Sequence, residues 1–218
     1  SFQVVNKLRW AIKQQFNLKK IKVGHAGTLD PLATGLLILC TGKFTKKIND
    51  LQGLDKVYTG TIHLGATTPS FDAETEINQE FPTEHITKEA ILECAQSFIG
   101  PQEQVPPAHS AIKVDGQRAY KLAREGQAIK MKKRSVELFD FEITNTEMPF
   151  LQFKVHCSKG TYIRSLANDF GAKLKSGGYL SALERTAVGD FKLENAWNLE
   201  ELIEHIAVVK TERLAQEL

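Results

Sequence analysis

Apolar residues recur at steps of three and four in Phe2, Val5, Leu8, Ile12 and Phe16, a spacing that predicts an amphipathic helix over residues 2–16 packed on a core. The unbroken apolar run at 36–40 predicts a buried strand, and 43–51 a short helix carrying lysines. In 56–64 the period falls to two, with Val57, Thr59, Thr61 and His63 alternating against Tyr58, Gly60, Ile62 and Leu64, as in a strand. Residues 66–83 contain Pro69, Pro82 and several carboxylates and read as a surface loop. Thr87 is placed to cap a helix that runs through Phe98, with Ala90, Ile91, Cys94, Ala95 and Phe98 on one face, and Gly100-Pro101 ends it. Residues 111–114 predict a strand closed by an Asp115-Gly116 turn, and 117–125 a helix presenting Arg118, Lys121 and Arg124 at three-residue steps. Strands follow at 135–143 and 150–158, joined by a polar turn around Asn145 and Pro149. A helix then runs to about Lys175, a strand covers 179–191, and the acidic remainder from Glu194 reads as helix. This irregular interleaving, with hairpin-like strand pairs, favours an α+β domain with a mostly antiparallel sheet over a doubly wound parallel one.

Composition excludes few classes of protein. A chain of 218 residues with 42 % hydrophobic content suits an ordinary globular protein, and no apolar run approaches the roughly 18 residues of a membrane span. The first residues lack a charged-then-apolar signal pattern, so the expected location is cytoplasmic. Cys40, Cys94 and Cys157 lie far apart among apolar neighbours, which predicts buried free thiols rather than disulfides or zinc ligands. The net charge of +2 conceals a segregation: residues 113–134 hold eight basic side chains against two acidic, and 72–93 seven acidic against one basic. That pattern predicts a basic face for a polyanion and an acidic face turned away from it.

Candidate chemistry concentrates in Gly24-His25-Ala26-Gly27-Thr28-Leu29-Asp30-Pro31-Leu32-Ala33-Thr34-Gly35. Three glycines in twelve positions mark backbone that turns sharply or lies close to something else, and Pro31 restricts Asp30 to extended or turn geometry. The spacing fits neither a phosphate-cradling P-loop nor a G-x-G-x-x-G fingerprint. A second dense stretch, Cys157-Ser158-Lys159-Gly160-Thr161-Tyr162-Ile163-Arg164, joins a strand to a helix and puts Arg164 in the first turn. A cation there opposes the helix dipole by about 0.5 kcal/mol, which favours a specific anionic partner.

Together these stretches closely resemble the bacterial tRNA pseudouridine-55 synthases, the TruB family of pseudouridine synthases, over residue 1 to about Asp190. The resemblance implies a pseudouridine synthase fold: a mixed, mostly antiparallel, bent central sheet with flanking helices, cleft along its middle. It also implies a single catalytic domain over 1–218. The family begins earlier, with a strand carrying Lys-Pro-x-Gly-x-x-Ser, of which only Ser1 is matched, so that first strand is expected to be missing. The small C-terminal RNA-binding domain that many relatives append is expected to be absent as well.

The resemblance also implies the reaction and its residues. The T-loop uridine of tRNA is flipped out, detached from its ribose, rotated and rejoined through C5, with no cofactor and no metal. Asp30 is the implied catalytic residue, and Arg164 its implied partner. Lys56-Val57-Tyr58 matches the family strand whose tyrosine stacks on the target base and can accept its proton, although on its own Tyr58 reads as a half-buried strand aromatic. His25 matches the histidine that fills the space the base vacates; on its own it reads as a structural loop histidine. Gly27 lies in the same loop, Asp72 matches a loop aspartate, and Leu183 and Tyr162 match walls around the base. Arg118 and Lys121 fall in a matching segment suited to phosphate contacts. The implied partner is the tRNA T-stem-loop, met by a monomer needing no membrane and no obligatory protein. Two alternatives are a guide-RNA-dependent relative and a tRNA chaperone that needs no catalysis.

Overall fold

The computed structural model describes residues 1–114, 116–126, 129 and 131–216, and only the backbone of 113 and 210–216. In chain order the elements begin α1 (Phe2–Gln15), β1 (Val23–His25), β2 (Ala33–Gly35), β3 (Leu39–Thr41), α2 (Ile48–Gly53) and β4 (Lys56–Leu64). They continue through β5 (Ala66–Thr67), β6 (Gln79–Glu80), α3 (Lys88–Gln96), β7 (Gly100–Gln104), β8 (Lys113–Val114), β9 (Gln117–Arg118) and α4 (Ala119–Arg124). Last come β10 (Arg134–Glu147), β11 (Phe150–Cys157), α5 (Ile163–Lys173), β12 (Gly178–Val188), β13 (Phe191–Lys192) and α6 (Leu199–Gln216). Contacts divide them into two compact units, one of Ser1–Asp30, Gly35–Leu54 and Ala187–Leu218, the other of Pro31–Thr34 and Asp55–Thr186.

The first unit is built on α1. Val5 and Leu8 are buried with Val23, and Ile12, Ile21, Leu39, Leu202 and Ile206 pack around them, so the predicted apolar face is the one used. Phe2 departs from it: as the first residue of the helix it is 68 % exposed, because the core begins only at Val5. β1 and β3 pair antiparallel with Val23 opposite Thr41. The strand expected at 36–40 is thus confined to Leu39–Thr41, although Leu36 is buried. The helix expected at 43–51 is a 3₁₀ segment over Gly42–Lys47 followed by α2. A salt bridge of 2.8 Å joins Lys7 to Glu200 across α1 and α6.

The second unit carries the main sheet, in the order β12-β4-β11-β10-β7, with β2 paired to β12. β4, β11, β10 and β7 are antiparallel neighbours. Register shifts between Leu138 and Asp140 and between Ile143 and Asn145 insert bulges into β10, and bulges bend a strand and increase its twist. Of the turn expected around Asn145 and Pro149, the Pro149 part is where the chain turns, at Met148 and Pro149, while Asn145 belongs to the strand. One face of the sheet is covered by α3 and α5. Phe141 meets Phe98, Phe153 and Phe170 edge-on at 5.7 to 6.3 Å, each such pair adding about 0.5–1.5 kcal/mol beyond area burial. Thr87 caps α3 as the sequence predicted, its hydroxyl accepting the Ala90 amide at 3.2 Å. α5 lies close against the start of β12. A Cβ on Gly171 would stand 2.2 Å from the backbone of Gly177 and Gly178, so glycine is required there. The fold class is as expected: α+β, with a mostly antiparallel central sheet and flanking helices.

Candidate active site

In the first unit, the glycine-rich stretch leaves β1 at His25, which pairs with Leu39 and is half-buried. Ala26 is fully buried and its amide donates to the Ile38 carbonyl at 2.9 Å, holding the loop entrance against the next strand. Gly27 has φ 105°, a left-handed conformation that a side chain would strain. Two residues later the Leu29 amide donates to the Ser1 hydroxyl at 2.9 Å, so Ser1 pins the residue that precedes Asp30. Asp30 is half-buried and closes this unit's part of the loop.

In the second unit, Leu32 and Ala33 pack against the main core, and the Thr34 hydroxyl donates to the Leu183 carbonyl at 3.5 Å. Leu183 is 7 % exposed on β12, beside a hollow of about 330 Å³ lined also by Thr59, Gly60 and Phe153. Gly60 leaves room for this close strand approach; a Cβ there would sit 2.6 Å from the Ala182 carbonyl oxygen. Tyr58 is half-buried on β4, opposite Val155, and packs on the core.

Arg164 is the second residue of α5 and is 3 % exposed. Its Nε stands 3.4 Å from a carboxylate oxygen of Asp72, which has no exposed surface, and its Nη1 donates to the carbonyls of His109 at 2.9 Å and Ser70 at 3.3 Å. The other Asp72 oxygen accepts the Ser70 hydroxyl and the Glu74 amide. The predicted surface loop thus turns a carboxylate inward to meet the cation at the helix start. This partnership was not foreseen in the sequence, where the two residues are 92 positions apart. Nor was Gln104, whose side-chain amide accepts the Tyr162 N–H at 2.8 Å and donates to the Tyr162 carbonyl at 3.0 Å. A buried glutamine at a strand end carries no sequence signal of such a clamp. The Tyr162 ring faces the Arg134 guanidinium at 5.2 Å.

The charge map needs correction. Arg118 lies in β9 at the N-cap of the six-residue α4, in extended conformation, and its guanidinium donates to the Ala111 carbonyl, so it shares no helical face with Lys121. Lys121 is exposed. Arg124 pairs with Glu74 at 3.0 Å and lies over the Tyr120 ring. The acidic and basic segments therefore meet at this point rather than turning apart, because the loop carrying Glu74 folds towards α4. Asp115, Lys130 and the Lys113 side chain, also part of that expectation, lie outside the described residues. All three cysteines are buried free thiols, with burial pushing Cys94 up to about 11 and Cys157 to about 12.

No group of His, Cys, Asp and Glu among the described residues is arranged to hold a metal ion, and none of their helices is long and apolar enough to cross a membrane. Residues 13–163 match the model for the TruB family pseudouridylate synthase N-terminal domain, and 164–218 that for the tRNA pseudouridylate synthase B C-terminal domain. The chain is 56 % identical over 197 residues to tRNA pseudouridine synthase B of Flavobacterium johnsoniae, covering 90 % of this chain and 86 % of that one. It is 51 % identical over 217 residues to the protein of the same name from Phocaeicola vulgatus, covering 100 % and 92 %. Among solved structures it is similar to a chain of a Cbf5-Nop10-Gar1 complex, with a TM-score of 0.67 and 28 % identity over 90 % of this chain. It spans 49 % of that chain's length. A chain of an H/ACA RNP bound to a substrate RNA shares the fold at a TM-score of 0.66 and 24 % identity, over 95 % of this chain and 51 % of that one. By the match to 13–163 and by end-to-end similarity to curated relatives, the chain belongs to the TruB family of pseudouridylate synthases.

Proposed function

We propose that the chain is a tRNA pseudouridine synthase that isomerises the T-loop uridine, with Asp30 as its catalytic residue. The observation that carries this reading is the intact Gly24–Gly35 motif in a chain 51 % identical, over its whole length, to a tRNA pseudouridine synthase B. The alternative that needs partner proteins has weaker support, since the similarity to the chain of the Cbf5-Nop10-Gar1 complex is 28 % and spans 49 % of that chain.

In the reaction the C1′–N1 bond of uridine breaks, the base rotates, a C1′–C5 bond forms, C5 loses a proton and N1 gains one. The target base must first leave its stack, at a cost of a few kcal/mol. His25 takes the vacated space. Asp30 acts as the nucleophile or charge stabiliser, and Arg164 orients it. Asp72 is a positioning residue: with Ser70 and His109 it holds the guanidinium in one place. Tyr58 stacks on the base and takes the C5 proton. Leu183 and Tyr162 wall the free base, Gly27 gives the loop its turn, and Arg118 and Lys121 meet phosphates.

The test is incubation of the purified chain with an unmodified tRNA transcript, followed by chromatographic nucleoside analysis and mapping of the modified position. Pseudouridine confined to the T-loop is expected, and none from Asp30→Asn, whose tRNA affinity stays near wild type because the amide is nearly isosteric. No product from the wild-type chain, or turnover by Asp30→Asn near the wild-type level, would overturn the assignment.

A further inference from the structure

A second concave surface lies wholly within the first unit, ending at Gly24, where the glycine-rich stretch begins. It is a groove of about 490 Å³ between the second half of α1, the segment leading into β1, and the 3₁₀ turn. Its floor is formed by Ile21, Val23 and Ile48. Its lining includes five cations, Arg9, Lys13, Lys19, Lys20 and Lys22, and no carboxylate.

The fold fixes the Arg9 side chain and the backbone of the lysine segment. Arg9 donates to the Asn6 side chain at 2.8 Å and to the Val23 carbonyl at 3.0 Å, which fixes its guanidinium at the groove wall. The Lys22 carbonyl accepts the Gly42 amide at 2.8 Å, tying the lysine segment to the 3₁₀ turn. Two carboxylates of the unit pair with cations outside the groove, Glu200 with Lys7 and Asp50 with Lys47. Like charges gathered in a concavity repel one another and focus the field there, an arrangement that favours capture of a polyanion. Concavity selects between polyanions. A phosphodiester strand can enter a groove, whereas the headgroup plane of a bilayer meets only a flat or convex surface.

We propose that this groove is a phosphodiester-binding site that grips the backbone of the RNA substrate. The proposal rests on the reading of the chain as a tRNA-modifying enzyme and names a contact surface beyond its reaction centre. Each phosphate neutralised by a lysine releases counterions, which steepens the salt dependence of binding by roughly 0.7–0.9 in log–log slope.

The experiment measures affinity of the full chain for an unmodified tRNA transcript by fluorescence anisotropy across a salt series, for wild type and for Lys13→Gln/Lys20→Gln. The expected double variant has a slope shallower by roughly 1.4–1.8 and binds about 25- to 60-fold more weakly near 0.1 M salt. Lys13→Arg/Lys20→Arg should keep both slope and affinity, which separates charge from damage to the fold. A parallel arm uses phosphatidylcholine–phosphatidylglycerol vesicles. Unchanged slope and affinity for tRNA overturns the proposal, and so does a loss confined to vesicle binding. Binding needs no turnover, so absence of pseudouridine would sink the isomerase reading while leaving this test to succeed or fail by itself.

Discussion

Asp72→Asn is the sharpest perturbation of the second unit. Asn keeps the shape of the side chain and an oxygen that can accept the Ser70 hydroxyl and Glu74 amide, so the change removes the charge and turns an NH2 donor, in place of an acceptor, towards the Arg164 Nε. The Arg164 guanidinium is 3 % exposed, so water cannot take over the role of the carboxylate. Removing one partner of a buried pair costs about 3–5 kcal/mol. For a chain of this size each kcal/mol moves the midpoint by about 2–4 °C, which gives a fall of roughly 6–20 °C. The probe has to be chosen with care. Trp10 and Trp197 both lie in the first unit, so tryptophan fluorescence does not report on this one. Hydrogen exchange of the buried α5 amides does. The double variant Asp72→Asn/Arg164→Met should recover part of the loss, since it removes the stranded cation, and the cycle of four proteins yields the coupling energy. A cost for Asp72→Asn below about 1 kcal/mol would refute the account of the pair as an obligatory buried ion pair.

Tyr58→Phe should preserve tRNA affinity but slow single-turnover pseudouridine formation by about a hundredfold or more, the usual worth of a proton acceptor, while Tyr58→Ala weakens binding too; equal rates for wild type and Tyr58→Phe would restrict the residue to stacking. Gly171→Ala should destabilise the second unit by about 3 kcal/mol, the upper end for overpacking, because its Cβ meets backbone at 2.2 Å rather than a side chain that can swing away. A urea midpoint, followed by exchange in α5, that stays at the wild-type value would show the helix can shift freely.

Elements whose burial is one-sided were legible in the sequence. α1, β4, α3, β10 and β11 each present a periodic apolar face, and the pattern of a single segment suffices to locate it. Pattern reading failed where local and tertiary demands diverge. Phe2 continues the apolar period of α1 but projects beyond the end of the core. Arg118 continues a three-residue spacing, yet its backbone is claimed by the β8–β9 pair, which pulls it out of the helix. The turn found at Pro149 does not reach back to Asn145, because a bulge lets a strand absorb a polar residue without ending. The charge segregation, real along the chain, did not survive folding at Glu74 and Arg124, since linear separation sets no distance in space.

The candidate site divides in the same way. The glycine-rich loop could be found because its backbone needs are local: Gly27 at positive φ and a proline after Asp30 leave a mark in composition. Buried polar partners leave none. A cation in the first turn of a helix did signal that some anion must offset it, and the structure supplies one in Asp72, a residue whose own neighbourhood reads as exposed loop. This bears on the proposed role of Arg164. A guanidinium carries five N–H donors in a rigid plane, so engagement of Nε by one carboxylate and of Nη1 by two carbonyls is compatible with orienting a second carboxylate. Lysine at this position could satisfy only a subset of those acceptors, because its three donors radiate from one point. Arginine is thus the residue type whose planar donors can be anchored on several acceptors at once, as the proposed role requires. It also follows that loss of Asp72 should reach catalysis through the orientation of Arg164, lowering the rate of the chemical step more than the affinity for tRNA.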